Sequence, residues 1–293
     1  MIEYFAMINI KKISIFFRKD NEKAIVWNKK IKDWLSENYP EIKNIPLQSI
    51  KRKKDMPDVF IVLGGDGTIM EVAHKYADMD PLLFCLNLGH IGFMASVRKE
   101  KDFLKGLDLL LKNKFSFGSR MMLSAKLIRN GKEEEEWSAM NEIAVQNLFG
   151  MVDIEVKIEN HPLQYIHGNG VLVSTASGTT AYNLSAHGPI VMPELDCFVI
   201  TELLDHNIPT PSIVIKEDKN ITLTIIDFRE ENRFIIAKNK KKADVVMAQD
   251  GIDTIPLKKG DKILIKKSEY RIRFAEIEPN YFFKSLQEKF AFK

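Results

Sequence analysis

The chain has 293 residues, 45% of them hydrophobic and 28% charged, which supplies a sizeable core, rules out wholesale disorder and suits two domains. Its 43 basic and 40 acidic residues nearly cancel to a net charge of +3, which argues against a dedicated nucleic-acid binder. Lys11 and Lys12 interrupt the apolar N-terminal stretch that a signal peptide would need, and no uncharged apolar run reaches the ~18 residues of a membrane span.

In chain order, residues 10–17 are rich in β-branched and aromatic side chains and read as a strand. Residues 22–38 place Ile25, Val26, Ile31, Trp34 and Leu35 near helical spacing, and Tyr39-Pro40 ends that helix. Asp58 to Leu63 is a short continuous apolar run, the pattern of a strand buried on both faces. It meets Gly64-Gly65-Asp66-Gly67-Thr68, after which Ile69, Val72, Ala73 and Tyr76 mark a new helix. A further buried strand, Leu82 to Leu86, precedes Asn87-Leu88-Gly89-His90-Ile91-Gly92-Phe93, and 101–113 reads as an amphipathic helix. Alternating strands and helices predict a Rossmann-like α/β domain with a parallel sheet over residues 1–115.

The pattern changes after Phe117. Residues 121–128 and 132–139 flank Asn130-Gly131, a strong hairpin signal, so the acidic run Glu133–Glu136 is expected on its wet side. Strands follow at 143–147, 152–158, 170–174, 197–201, 212–215, 221–226, 233–236, 245–248 and 262–266, with one short helix at 179–186. An all-β, sandwich-like domain is expected over 116–275. The tail, 276–293, carries Phe282, Phe283, Leu286 and Phe290 at helical spacing and is expected to return a helix to the first domain. Two basic runs, Lys51–Lys54 and Lys238–Lys242, read as surface loops. Cys85 and Cys197 each lie in apolar stretches that suit buried, reduced thiols, so a soluble cytoplasmic protein without nucleic-acid or membrane partners is expected.

Two segments carry chemistry. Three glycines at the carboxyl end of a buried parallel strand, Gly64, Gly65 and Gly67, let backbone amides approach a phosphate, with Thr68 beside them. Asp66 among them would repel phosphate unless it accepts a proton from a sugar hydroxyl or holds a cation. The alternative is a tight strand–helix turn in which Asp66 or Thr68 caps the helix. The second segment, Val171 to Pro189, is a strand, a loop of hydroxyl residues around Gly178, and a short helix. Its hydroxyls and amides are expected to donate to phosphate and ribose oxygens, with Tyr182 able to stack; helix capping by a Ser/Thr turn is the plainer reading. Asn141-Glu142 could read sugar hydroxyls. A Walker motif, a Gly-x-Gly-x-x-Gly fingerprint, metal-ligand His or Cys spacing and a serine elbow are all absent from the sequence.

Taken in order, these blocks resemble the NAD kinase family over nearly the whole chain. The Gly64–Thr68 block is shared with diacylglycerol, sphingosine and phosphofructokinase relatives, whereas Ser174–Pro189 resembles the family's long and specific signature. Asn87–Phe93, Asn141-Glu142, Gln249-Asp250-Gly251 and Phe282-Phe283-x-x-Leu286-x-x-Lys289 follow in the family's order. The resemblance implies phosphorylation of NAD at the adenosine 2′-hydroxyl, with ATP as donor, Mg²⁺ carried by ATP and Asp66 as general base. It implies NAD contacts from Asp66, Gly67, Asn141, Glu142, His167, Asn169, Ser177, Thr180, Ala181, Tyr182, Asn183, Leu184, Ser185 and His206. Gly64, Gly65, Gly67 and Thr68 would meet the ATP phosphates. It also implies a homodimer or homotetramer.

Three departures stand out. Gly168-Asn169-Gly170 replaces the usual Gly-Asp-Gly, whose acid is expected at the nicotinamide end, and His167 stands where a basic residue is common. Ala176-Ser177 replaces Pro-Thr, and Glu202 and Asp205 replace two prolines ahead of His206. An active kinase with an altered preference between NAD and NADH is expected. The rivals are a lipid kinase of the diacylglycerol type, which shares the glycine turn, and a dinucleotide-binding regulator without turnover.

Overall fold

The structure is a computed structural model describing residues 8–90, 92–206, 210–231, 234–235, 242–278 and 280–290. Ile91, Asn207, most of the Lys238–Lys242 run and the outer residues of the expected 233–236 strand lie outside the described residues. Two compact units emerge: one comprises the chain up to Ser119 together with everything from Tyr270, the other Arg120–Glu269.

In the first unit, five strands pair in parallel in the order Lys43–Asn44, Lys12–Phe17, Val59–Gly64, Leu82–Asn87 and the end of Lys262–Glu276. The chain leaves Lys12–Phe17 towards one edge and returns on its other side, so the order reverses between that strand and Val59–Gly64. Ligands of open α/β sheets bind at such a reversal, outside the carboxyl ends of the strands. Val59–Gly64 and Leu82–Asn87 are buried along their whole length, as their unbroken apolar runs require.

The helix Glu22–Asn38 starts where Asn21 accepts the Ala24 amide at 3.2 Å. It buries Ala24, Ile31 and Leu35, whereas Ile25 and Val26, read as part of its apolar face, are exposed. The expected 101–113 helix is Phe103–Leu111, after a 3₁₀ turn at Glu100–Asp102. The C-terminal helix, Tyr281–Phe290, returns to this unit as expected. Phe282 packs on Phe93 with ring centroids 5.7 Å apart, but Phe283 faces solvent.

The second unit is built from antiparallel pairs. One sheet has the order Ile213–Lys216, Cys197–Leu203, Gly170–Thr175, Glu142–Asn147, Val245–Gln249 and Asp253–Pro256. Facing it are the hairpin Ser116–Arg129/Lys132–Ala139 and the strands Val152–Ile158, His161–Gly168, Ile221–Phe228 and the start of Lys262–Glu276. Inward residues of both sheets, among them Val145, Val173, Phe198, Ile154, Leu223 and Ile265, share one apolar core, which makes the unit a sandwich. Asn130 (φ 52°) and Gly131 (φ 73°) form the expected left-handed hairpin turn.

Strands also depart from the sequence reading, the two-residue Lys43–Asn44, which was not expected, among them. His161–Gly168 was not expected as a strand because half of its residues are exposed and no apolar alternation marks it. Asp253–Pro256 is likewise a short edge strand. The strand expected at 262–266 runs on to Glu276, with charged residues of the added stretch partnered: Lys267 pairs with Asp196 at 3.0 Å, and Arg271 donates to Ser119 at 2.8 Å.

Candidate active site

The first unit presents the glycine turn. Gly64 ends its strand with no room for a Cβ, which would lie 2.4 Å from Thr68 Oγ1. Thr68, expected at a phosphate, therefore packs against Gly64 and is buried. Gly65 caps the helix Asp66–Tyr76, and Asp66 is its first residue. A Cβ on Gly65 would meet nothing nearer than 3.9 Å and one on Gly67 nothing nearer than 4.0 Å, so the backbone there is uncrowded. The amides of Asp66 and Gly67 begin the helix and have no partner further back in it, which is the geometry that receives phosphate oxygens.

Asp66 is held from behind. Its carboxylate accepts the Phe93 amide at 3.0 Å, and a Cβ on Gly92 would sit 2.1 Å from its Oδ1. Asn87 shapes that loop, accepting the Gly89 amide at 3.1 Å and donating to the His90 carbonyl at 3.2 Å. Burial pushes the Asp66 carboxyl above the usual carboxylate range; the Phe93 amide, the Lys289 ammonium and the Met94 amide pull it back. Lys289 stands over the Phe93 ring, 4.9 Å from its centroid. Within the block Asn87–Phe93, which carried no role in the sequence reading, Phe93 and Gly92 thus support Asp66 and Asn87 shapes the loop before them.

In the second unit, Asn141 and Glu142 enter the strand Glu142–Asn147. Asp250 accepts three successive amides here, Met140 at 2.7 Å, Asn141 at 2.9 Å and Glu142 at 2.7 Å. The signature holds the other side of the same backbone. Thr175 donates its amide to the Asn141 carbonyl at 2.8 Å and its hydroxyl to the Met140 carbonyl at 2.6 Å. Gly178 is required by this closeness, since a Cβ there would lie 2.2 Å from Asn141 O. With the backbone so satisfied, two buried side-chain oxygens, Asn141 Oδ1 and Glu142 Oε2, have no hydrogen-bond partner among the described residues. Burial and the nearby Asp250 charge push the Glu142 carboxyl up to about 8 against the opposing Tyr182 amide.

The hydroxyls of the signature do not form the donor array expected of them. Thr175, Thr179 and Thr180 donate to the carbonyls of Met140, Ala176 and Ser177, because a buried hydroxyl must find an acceptor and the nearest are in the loop. The expected helix at 179–186 is a 3₁₀ turn, Ser177–Thr180, followed by a single helical turn, Tyr182–Ser185. Asn183, expected against NAD, is wholly buried; it accepts the Thr201 hydroxyl at 2.7 Å and donates to the Pro189 carbonyl at 3.1 Å. Ala176, standing where the family has Pro, has φ −56°, a value proline would also adopt.

Tyr182 and Ser185 are exposed, and Tyr182 donates to Gln146 Oε1 at 3.0 Å. With Asn169 they line a cleft of about 680 Å³ in this unit. Asn169 donates to the Gly150 carbonyl at 2.8 Å and is flanked by glycines without room for a side chain: a Cβ on Gly168 would lie 2.6 Å from Leu204 O, and one on Gly170 2.0 Å from Val145 O. His167 bonds Asp153 through Nδ1, and its carbonyl accepts the His206 amide at 2.9 Å. The fold thus gathers Asn169, Tyr182 and Ser185 in one cleft, while His167 lines a neighbouring cleft of about 430 Å³ with Asp153. Gln146, Asp153 and the contacts of Asp250 were not foreseen. Only Asp250 carried a signal, an acid-glycine turn directly after an apolar strand.

Two family models match: the ATP-NAD kinase N-terminal domain over residues 47–115 and the ATP-NAD kinase C-terminal domain over residues 140–277. Among curated relatives, the NAD kinase of Thermoanaerobacter pseudethanolicus is 31% identical over 293 residues, covering 96% of this chain and 99% of its own. That of Lachnoclostridium phytofermentans is 31% identical, covering 88% of this chain and 86% of its own. The fold matches yeast NADH kinase complexed with NADH at a TM-score of 0.82 and 20% identity, over 97% of this chain and 88% of that one. It also matches an NAD kinase from Archaeoglobus fulgidus in complex with ATP, at 0.72 and 21%, over 95% of this chain and 98% of that one. With both halves of its sequence matched by the family's models and close to its full length shared with relatives above 30% identity, the chain belongs to the NAD kinase family.

Proposed function

We propose that Asp66 is the general base in the reaction of this family, ATP-dependent phosphorylation of NAD to NADP, and that Asn141 and Glu142 hold the adenosine ribose. Family membership over both units decides against the lipid-kinase alternative. The observation that carries the proposal is the state of Asp66, a carboxyl raised by burial and held by the Phe93 amide at the edge of a glycine turn. A base whose affinity for a proton is raised is better matched to taking one from an alcohol.

In the proposed step the 2′-hydroxyl gives its proton to Asp66 as its oxygen bonds to the γ-phosphorus of ATP. The bond from that phosphorus to the β,γ-bridging oxygen breaks, leaving ADP, NADP and one proton to be released. Phosphoryl transfer asks the protein chiefly for positioning and charge neutralisation. The open backbone at Gly65 and Gly67 would cradle phosphate, and Mg²⁺ belongs to the substrate as MgATP. The unpartnered Asn141 Oδ1 suits donation from a ribose hydroxyl, and the Glu142 carboxyl, raised to about 8, can accept from or donate to another. Tyr182 and Ser185 would border the adenine, Asn169 the nicotinamide end, and His167 and His206 the intervening phosphates.

The reading includes a homodimer or homotetramer in the cytoplasm. The oligomer is supported by the exposed apolar set Leu148, Phe149, Met151 and Leu204, and a monomer mass in analytical sedimentation would count against it. The test of function is incubation of the purified protein with NAD, Mg²⁺ and either ATP or polyphosphate. NADP should form with ATP; its absence under conditions where both nucleotides bind would leave a regulator without turnover. A dinucleotide complex whose 2′-oxygen cannot approach Asp66 would remove Asp66 from the mechanism.

A further inference from the structure

We propose that Asp250 is a positioning residue for the acceptor sugar, acting through the backbone of Met140–Glu142 to hold Asn141 Oδ1 and Glu142 Oε2 where a ligand hydroxyl reaches them. The inference rests on the reading of Asn141 and Glu142 as the sugar's acceptors.

The argument is an account of hydrogen bonds. Oδ2 of Asp250 takes the Met140 amide, and Oδ1 takes both the Asn141 and Glu142 amides. The Asp250 amide in turn donates to the Glu142 carbonyl at 3.1 Å. On the opposite side Ser174 and Thr175 donate to the Met140 and Asn141 carbonyls. Three residues of backbone are therefore fixed through both their donors and their acceptors, and the polar atoms left over are the two side-chain oxygens. A buried oxygen without a partner is costly and needs an explanation; a bound hydroxyl supplies one.

Only a carboxylate meets this requirement. Asparagine would keep one oxygen for two of the amides and turn an NH₂ group towards the third, donor against donor. Placement of the acid is also specific. Asp250 follows the strand Val245–Gln249 in the left-handed region (φ 48°), with Gly251 behind it (φ 66°), and from this turn its carboxylate reaches the amides that lead into the paired strand Glu142–Asn147. Asp is among the few residues that adopt this backbone readily.

The experiment is steady-state kinetics on the full chain with Asp250→Asn, Asn141→Ala and the double variant, with Glu142→Gln beside them. We expect Asp250→Asn to raise KM for NAD about tenfold while KM for ATP stays within about threefold, the size that losing one buried charge-assisted bond gives. A merely structural Asp250 would reduce the amount of active enzyme and leave both KM values in place, which would overturn the inference. In the double variant the rise in KM for NAD should fall clearly short of the product of the two single effects, because Asn141 is one of the two acceptors that Asp250 places. A full multiplication of the two effects would place the action of Asp250 elsewhere and also overturn it. Should Asp250→Asn not fold, Asp250→Glu, which keeps the charge but displaces it by a methylene, carries the same cycle. If Asn141→Ala and Glu142→Gln both leave KM for NAD unchanged, the reading of the sugar acceptors fails and the inference falls with it.

Discussion

Glu142→Gln should make the ligand-free protein more stable in alkaline solution, although it removes a group assigned to binding. Glu142 is 6% exposed, and its carboxyl is pushed from 4.5 up to about 8, first by burial and then by the charge of Asp250. A raised carboxyl binds its proton more tightly in the folded chain than in the unfolded one. Between pH 4.5 and about 8 the folded state therefore holds more protons, and stability falls as pH rises through that window. At about 1.4 kcal/mol per pH unit the ceiling is about 5 kcal/mol, and relaxation around the charge would leave roughly half. Glutamine is close in shape and never ionises. The difference in unfolding midpoint between Glu142→Gln and the parent should thus widen by about 5–10 °C from pH 5 to pH 9, at 2–4 °C per kcal/mol. Thermal scans at a series of pH values without nucleotide read it directly. A difference that stays constant with pH, or narrows, would refute the burial argument.

Other consequences follow from the same contacts. Lys289→Met removes a cation that pulls the Asp66 carboxyl down, so the acid limb of the kcat/KM profile should move to higher pH; an unmoved limb would detach Lys289 from Asp66. Asn169→Asp turns an acceptor towards the Gly150 carbonyl and should cost about 1–3 kcal/mol in denaturant titration. The same change adds a negative charge at the proposed nicotinamide end, so the ratio of kcat/KM for NAD to that for NADH should rise; an unchanged ratio would place Asn169 away from the ring. Gly178→Ala forces a Cβ to within 2.2 Å of Asn141 O, so the sugar-binding turn should shift. NAD affinity by calorimetry should then fall at least about tenfold, at a cost of about 1–3 kcal/mol.

Much of this was legible in the sequence because each signal had a local cause. Buried parallel strands leave unbroken apolar runs such as Val59–Leu63, and Asn130-Gly131 marks a hairpin by the backbone it permits. The glycine turn was readable because a strand ended and a helix began within three residues. What stayed hidden was decided by distant partners. His161–Gly168 carries too weak an apolar alternation to signal a strand, since it lies at the end of its sheet's order among the described residues and half of its residues are exposed. The signature's hydroxyls looked like ligand donors because sequence cannot show that Met140 O and Ala176 O lie within reach. Asp250 is more than 100 residues from the amides it binds, with separations of 108 to 110, so no local pattern could join them.

The most direct measurement is turnover of Asp66→Asn at saturating MgATP and NAD, beside its dissociation constant for NAD. Asparagine keeps the side chain's size but cannot take a proton, so kcat should fall at least about a thousandfold while NAD affinity stays within about threefold. A variant that binds NAD normally and retains a rate near that of the parent would contradict the assignment of Asp66 as the base.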